Sequence, residues 1–204
     1  MSIDALRAVF AGRVGEPSLV EGREGVHPSG VLAPFYEDDG ELYVLLTRRS
    51  WGLRSHTGEV SFPGGRADDG ESAVDAALRE SAEEIGLART DVEVLGELDH
   101  LMTVTSSSFI VPLVGVLPGG HPTDLTANPA EVDAVLHVPV AELLLDEVFR
   151  EELWDFGPSA GASGAWRSIY FFELFGDTVW GATAAMLRQL LSLLLGLDAG
   201  IDHP

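Results

Sequence analysis

Three glutamates in the middle of the chain have a spacing that suits metal chemistry. Glu80, Glu83 and Glu84 stand at positions i, i+3 and i+4, and a helix over residues 72–86 places them on one face. Like charges at these separations repel by about 0.2–0.5 kcal/mol per pair, so folding alone would not favour them. A hard divalent cation would, because Mg²⁺ is held by a few carboxylates together with water and phosphate oxygens. The alternative is an acidic helix face that simply meets solvent.

A helix and a turn must position these carboxylates. Three alanines in the first turns favour the helix and leave room beside its acidic face. The opposite, inward face is formed by Val74, Leu78, Ser81 and Ile85. Just upstream, Phe62-Pro63-Gly64-Gly65 predicts a rigid turn followed by two residues that are free to adopt positive φ. Backbone atoms can therefore come close to a metal ion or a phosphate group at this turn.

The complete spacing from Gly65 to Gly86 reads G-x5-E-x7-R-E-x-x-E-E-x-G. This pattern resembles the Nudix box, the signature of Nudix hydrolases. The one departure is Ser81, at a position where the family usually has an aliphatic or other small residue. Because Ser81 faces inward, the departure bears on packing rather than on the chemistry.

The resemblance implies a role for each polar residue of the box. Glu80 and Glu84 are the implied main ligands of Mg²⁺ or Mn²⁺, and the further implied ligands or water-positioning groups are Glu83 and the Gly64 carbonyl. Arg79 and Glu71 are implied to hold the loop and the helix together. Since these two are eight residues apart, they meet only if Glu71 lies on a loop that folds back.

The general base is left open by the sequence. Nudix enzymes differ in which glutamate fills this role, and Glu80, Glu83 and the later Glu131 are all candidates. Glu131 lies where Nudix proteins commonly place an acidic residue near the substrate. Its alternative is an ordinary surface carboxylate.

The loop upstream of the box carries a second signature. From Thr47 to Gly65 the chain follows the pattern T-x-R-S-x3-R-x3-G-x3-F-P-G-G, which resembles the additional signature of coenzyme A pyrophosphatases within the Nudix family. The resemblance implies hydrolysis of coenzyme A or its thioesters to 3′,5′-ADP and 4′-phosphopantetheine or its acylated form. Guanidinium groups match phosphate oxygens bidentately. Arg49 and Arg54 are therefore predicted to bind substrate, together with Gly64 and Gly65.

Other functions share the same predicted metal site. A Nudix hydrolase of ADP-ribose, NADH, a dinucleotide or a nucleoside triphosphate would keep the acidic helix without needing the arginine-rich signature. A Nudix-fold binding or regulatory module without catalysis is disfavoured, because Glu80, Glu83, Glu84 and Arg79 are all present. Within the loop, His56 either contacts phosphate, since histidine titrates near neutral pH, or hydrogen-bonds locally.

The composition is that of an acidic globular protein. The 204-residue chain has a formal net charge of −21, and all twelve of its basic residues are arginine. Such a chain repels nucleic acid and anionic membranes, so neither is expected as a partner. It contains no cysteine, and its most apolar run, residues 190–197, is too short to span a bilayer. We expect a cytoplasmic protein, a monomer or a homodimer, that binds a small nucleotide.

The order of strands and helices predicts an α/β fold. Strands on both sides of an internal helix, with a terminal helix, suit an α/β/α sandwich around a mixed β-sheet. One Nudix hydrolase domain is predicted over residues 1–204, with an N-terminal helical extension over 1–25 and the Nudix box at 65–87. Strands are predicted at 26–35, 41–48, 92–100, 109–117, 132–138 and 168–174. Helices are predicted at 3–12, at 72–86, from 141 and from 179, with a flexible loop at 157–165.

Overall fold

The computed structural model describes residues 1–17, 28–53, 57–102, 109–156 and 166–197, which form three α-helices and eleven strands. The helices are α1 (Ile3–Phe10), α2 (Ala73–Ile85) and α3 (Gly181–Leu194). The strands are β1 (Pro28–Asp38), β2 (Glu41–Arg49), β3 (Val60–Ser61), β4 (Gly64–Arg66), β5 (Glu93–Glu97), β6 (Leu101–Met102), β7 (Phe109–Val116), β8 (Val132–Pro139), β9 (Phe149–Asp155), β10 (Trp166–Leu174) and β11 (Asp177–Trp180).

The main sheet is mixed, as predicted. Its central path runs β3-β2-β1-β7-β5, while β4 pairs with β1, β6 with β7 and β8 with β2. The β1–β7 pair is parallel, and the other pairs are antiparallel. β1 and β2, both predicted as strands, form a hairpin whose two-residue turn consists of Asp39 and Gly40, both with positive φ. This turn matches the right-handed twist of the paired strands.

Helices cover both faces of the main sheet and give the predicted α/β/α layers. Side chains alternate between the two faces along each strand. One face packs against α2 through Leu32, Leu45, Leu113, Ala77, Leu78 and Ile85. The other face packs against α1 and α3 through Phe35, Leu46, Val114, Leu6, Phe10 and Leu187. The fold is therefore the α/β class that the sequence predicts.

Helix α2 agrees with the prediction to within one residue at each end. The Ser72 hydroxyl caps its N-terminus by accepting a hydrogen bond from the Asp75 N–H at 3.1 Å. The helix ends at Gly86, which takes the left-handed conformation that favours glycine. Ser81 is fully buried, and its hydroxyl donates to the Ala77 carbonyl at 2.7 Å. The departure from the Nudix box is therefore a packing feature with a satisfied hydroxyl.

A second, three-stranded sheet contains a strand that was not predicted and shows that the predicted start of the final helix was wrong. β9 lies at its edge in the order β11-β10-β9, and the sequence pattern did not predict this strand. The final helix begins at Gly181 and not at Val179, because Val179 and Trp180 belong to β11. Arg48 joins the two sheets by pairing with Asp177 of β11 at 3.0 Å.

The structure also bears on the helix predicted from residue 141. The segment after Val140 forms a single 3-10 turn at Glu142–Leu144 rather than an α-helix. None of the helices in the described ranges is both long and apolar enough to cross a membrane. The predicted loop at 157–165 lies outside the described residues.

Candidate active site

Two of the predicted carboxylates converge with a third that lies far along the chain. Glu80 and Glu84, one turn apart on α2, each have a carboxylate oxygen within 4.8 Å of the other and of a carboxylate oxygen of Glu131. Glu80 and Glu131 are partly exposed, whereas Glu84 is buried with 4% of its surface accessible. We call these three residues the carboxylate trio.

Backbone hydrogen bonds bring Glu131 into the trio. The Glu131 N–H donates to the Asn128 carbonyl at 3.0 Å, and the Asn128 N–H donates to the carbonyl of Glu84 at 2.8 Å. On the other side, the Ser50 N–H donates to the Glu131 carbonyl at 2.8 Å. The segment before β8 is thus fastened both to the end of α2 and to the end of β2. These contacts hold the backbone of Glu131, whose side chain carries the third carboxylate.

Glu84 is held in an environment that disfavours its negative charge. Burial raises the pKa of Glu84 to about 7, and the nearby charge of Glu80 acts in the same direction. The Gly64 N–H, which donates to Glu84 Oε2 at 3.1 Å, and the positive charge of Arg49 oppose this rise. The ionised carboxylate is therefore poorly compensated by the protein itself.

Gly65 leaves the space that the Glu80 carboxyl group occupies. A Cβ atom at position 65 would lie 2.5 Å from Cδ and Oε1 of Glu80, which is closer than real Cβ contacts come. Any side chain here would displace Glu80. The second glycine of the Pro-Gly-Gly turn therefore allows the Glu80 carboxyl group to keep this position.

Arg79 ties the loop before α2 to the acidic face of the helix. Its guanidinium donates to Glu71 at 3.0 Å, to Glu80 at 2.9 Å and to Glu83 at 3.1 Å. Glu71 precedes the helix and accepts from the Asp68 N–H at 2.9 Å. It thus lies on a loop that folds back, which is the condition set by the sequence spacing. The bonds to Glu71 and Glu80 raise the pKa of Arg79 further, so the guanidinium stays charged.

Glu83 lies apart from the trio. Its side chain is 56% exposed and pairs with Arg79, and it is not among the three carboxylates that converge. The third converging carboxylate is that of Glu131, whereas the Nudix resemblance implied Glu83 as a further ligand or water-positioning group. The only sequence signal for Glu131 was its position in the chain, since no local spacing relates it to α2.

Arg49 lies beside the trio at the end of β2. Its charge acts on Glu84, and its Nε is buried without a hydrogen-bond partner among the described residues. Its backbone N–H donates to the Glu59 carbonyl at 2.9 Å, which closes the base of the following loop. Arg54 and His56, the other predicted contacts of this loop, lie outside the described residues.

The trio fits a divalent cation. Hard oxygen ligands are what Mg²⁺ and Mn²⁺ prefer, and a few carboxylates with water and phosphate oxygens complete such a site. The three glutamates supply one oxygen each within a small space. A bound cation would also offset the charge that burial makes unfavourable at Glu84. Both the oxygen donors of the trio and the unfavourable charge at Glu84 therefore suit a bound Mg²⁺ or Mn²⁺.

Comparison with known proteins identifies the class to which this fold and site belong. Residues 26–159 match the NUDIX domain family. Nudix hydrolase 3 of Caenorhabditis elegans is 36% identical over 87% of this chain and 78% of its own length. Nudix hydrolase NudL of Escherichia coli strain K12 is 39% identical over 72% of each chain. The chain belongs to the Nudix family.

A solved structure shares the fold at larger coverage. The crystal structure of a NUDIX hydrolase from Alicyclobacillus acidocaldarius superposes with a TM-score of 0.53 and covers 88% of this chain and 100% of its own. Its sequence identity is 19%, so the likeness concerns the fold alone. Family membership indicates a hydrolase that acts on diphosphate bonds.

Proposed function

We propose that the protein hydrolyses the diphosphate bond of coenzyme A or acyl-coenzyme A, releasing 3′,5′-ADP and 4′-phosphopantetheine or its acylated form. The observation that carries the proposal is the juxtaposition of the carboxylate trio with Arg49, whose buried Nε has no partner among the described residues. Arg49 belongs to the signature over residues 47–65 that resembles coenzyme A pyrophosphatases. Arg49 is partly exposed, and its guanidinium is a suitable donor to a phosphate oxygen.

The metal site has a defined set of residues in this proposal. Glu80, Glu84 and Glu131 hold the cation, with the Gly64 carbonyl and Glu83 as the further groups that the Nudix resemblance implies. When bound, Mg²⁺ or Mn²⁺ neutralises phosphate charge and lowers the pKa of a coordinated water. Arg79 holds Glu80 in place through a 2.9 Å hydrogen bond.

The chain's own residues supply the remaining chemistry. A carboxylate base takes a proton from the attacking water, whose oxygen forms a new bond to one phosphorus. The bond from that phosphorus to the bridging oxygen breaks, and the second phosphate leaves with that oxygen. Glu80, Glu83 and Glu131 stay the candidates for the base. Arg49 and Arg54 bind the phosphates in this proposal, together with the backbone of Gly64 and Gly65.

The second candidate is a Nudix hydrolase of another nucleoside diphosphate derivative, such as ADP-ribose, NADH or a dinucleotide, or of a nucleoside triphosphate. It uses the same trio but assigns no special role to the loop signature. A binding module without catalysis is disfavoured, since the trio and Arg79 are intact. Substrate preference separates these possibilities.

Product analysis by chromatography tests the proposal. Purified protein is incubated with coenzyme A, acetyl-coenzyme A, ADP-ribose and NADH, each with Mg²⁺, with Mn²⁺ and with chelator. The Glu84→Gln variant, purified in the same way, controls for contaminating hydrolases. We expect metal-dependent 3′,5′-ADP from the coenzyme A substrates and little product from the others. Preferential cleavage of ADP-ribose or NADH would support the second candidate instead.

A further inference from the structure

Trp51 is an exposed indole in the loop that follows Arg49 and Ser50. It follows Ser50 in the loop between β2 and β3, and 68% of its surface is accessible. Trp166 is similarly exposed, at 64%, but it belongs to β10 of the second sheet. Leaving so much of a large aromatic ring in water forgoes the stabilisation that its burial would give. Exposure alone does not distinguish Trp51 from Trp166; what distinguishes it is its place in the loop that follows Arg49 and Ser50.

Backbone bonds link the residue before Trp51 to the segment that carries Glu131. The residue before it, Ser50, donates its N–H to the carbonyl of Glu131 at 2.8 Å, and the carboxylate of Glu131 is one of the three that converge. The loop is closed at its base, because the Gly58 N–H donates to the Arg49 carbonyl at 3.1 Å. Trp51 thus follows directly on a residue that bonds to the backbone of Glu131.

Gly58 supports the ring from within the loop. Its φ is +70°, and a Cβ atom at this position would lie 2.3 Å from Cη2 of Trp51. The tip of the indole therefore rests on bare backbone, and any side chain at position 58 would push it away. This contact gives a physical reason for the glycine in the loop signature. It supports one end of the indole while most of the ring stays accessible to solvent.

We propose that Trp51 stacks against the aromatic base of the nucleotide half of the substrate. The inference rests on the proposed function, because the diphosphate must lie between the trio and Arg49 for the base to reach the loop. Stacking suits this protein, since a neutral aromatic contact adds affinity for an anionic ligand without depending on charge. Because the net charge of −21 repels an anionic ligand, a contact that does not depend on charge strengthens binding that this repulsion weakens. Trp51 is thus a specificity-determining residue for base-containing diphosphates.

Steady-state kinetics of Trp51→Ala and Trp51→Phe test the proposal. Stacking of one base on an aromatic side chain corresponds to a loss of about 5- to 150-fold on replacement by alanine. We expect kcat/KM for the preferred substrate to fall by that amount in Trp51→Ala, mainly through KM, and Trp51→Phe to recover most of it. Trp166→Ala is the matched control, because it removes an equally exposed indole from the second sheet, and it should behave as the wild type.

Fluorescence provides a readout that does not require turnover. ADP should change the tryptophan emission of the wild type, whereas inorganic diphosphate, which lacks a base, should not. The change should disappear in Trp51→Phe, while the remaining three tryptophans report an intact fold. An unchanged KM in Trp51→Ala, with substrate hydrolysis intact, would overturn the stacking role and leave the proposed function standing. If the wild type hydrolyses no substrate, the proposed function fails, and the ADP titration still decides whether Trp51 meets a base.

Discussion

Replacing Glu84 by glutamine should stabilise the metal-free protein while removing its activity. The side chain is 4% exposed, and burial raises its pKa from the ordinary 4.5 to about 7. Glutamine has nearly the same shape and no charge, and its amide oxygen can still accept the hydrogen bond from the Gly64 N–H. The substitution therefore removes the unfavourable charge and keeps the contact that holds the side chain.

The sign of the effect follows from the direction of the pKa shift. A carboxyl group whose pKa is higher in the folded state destabilises folding as the pH rises from the unfolded value towards the folded one. For Glu84 the penalty begins near pH 4.5, is complete above pH 7 and amounts to about 3 kcal/mol. The buried amide N–H groups of glutamine cost about 1–2 kcal/mol if they lack partners. We therefore expect a gain of about 1–3 kcal/mol at pH 8.

Thermal or urea unfolding in chelator at pH 8 and pH 5 measures this effect. A gain of this size corresponds to a rise in Tm of about 2–12 °C for a chain of this length, and the difference should shrink at pH 5. Adding Mg²⁺ should stabilise the wild type and have little effect on the variant, which also loses turnover. Glu83→Gln is the control, because it makes the same chemical change at a side chain that is 56% exposed. A Glu84→Gln protein that is less stable than the wild type in chelator at pH 8 would refute the reasoning.

Three further substitutions test the geometry of the site. Gly65→Ala places a Cβ atom 2.5 Å from the Glu80 carboxyl carbon, so we expect kcat/KM to fall at least about tenfold, the order of effect seen when the support of a metal ligand is disturbed. Gly119→Ala, with open space around its Cβ position, should leave activity unchanged. Arg79→Lys keeps the charge but cannot bridge three carboxylates, and activity at saturating Mg²⁺ should fall about 10- to 100-fold. Glu131→Gln should weaken Mn²⁺ binding in calorimetry, and an unchanged affinity would remove it from the metal site.

The fold could be predicted where the sequence pattern reflects burial. Helix α2 has a cap, an apolar face and a terminal glycine within one short segment, so its predicted ends were correct to within one residue. β9 gave no such signal, because six of its seven residues are exposed and the alternation of apolar and polar residues is absent. The start of α3 was misplaced because alanines and a threonine continue directly from β11, and the boundary depends on pairing of Trp180 with Phe171.

The site could be predicted only as far as local spacing reaches. Glu80 and Glu84 share a helix face, so their proximity follows from 3.6 residues per turn. Glu131 joins them through the bonds that link Asn128 to Glu84 and Ser50 to Glu131, and no spacing rule relates these positions. Glu83 pairs with Arg79 and is not among the converging carboxylates, a difference from Glu80 that the spacing along the helix does not show.

The charges of the site and of the whole chain bear on the order in which a divalent cation and the substrate would bind. A net charge of −21 repels a diphosphate substrate, and the trio adds further negative charge where the phosphates must lie. Within the described site, Arg79 is engaged with glutamates, which leaves Arg49 to face the ligand. One guanidinium does not offset three carboxylates, so under the proposed function a divalent cation would bind before or together with the substrate. The same buried charge that makes Glu84 costly in the metal-free protein thus prepares the site for that cation.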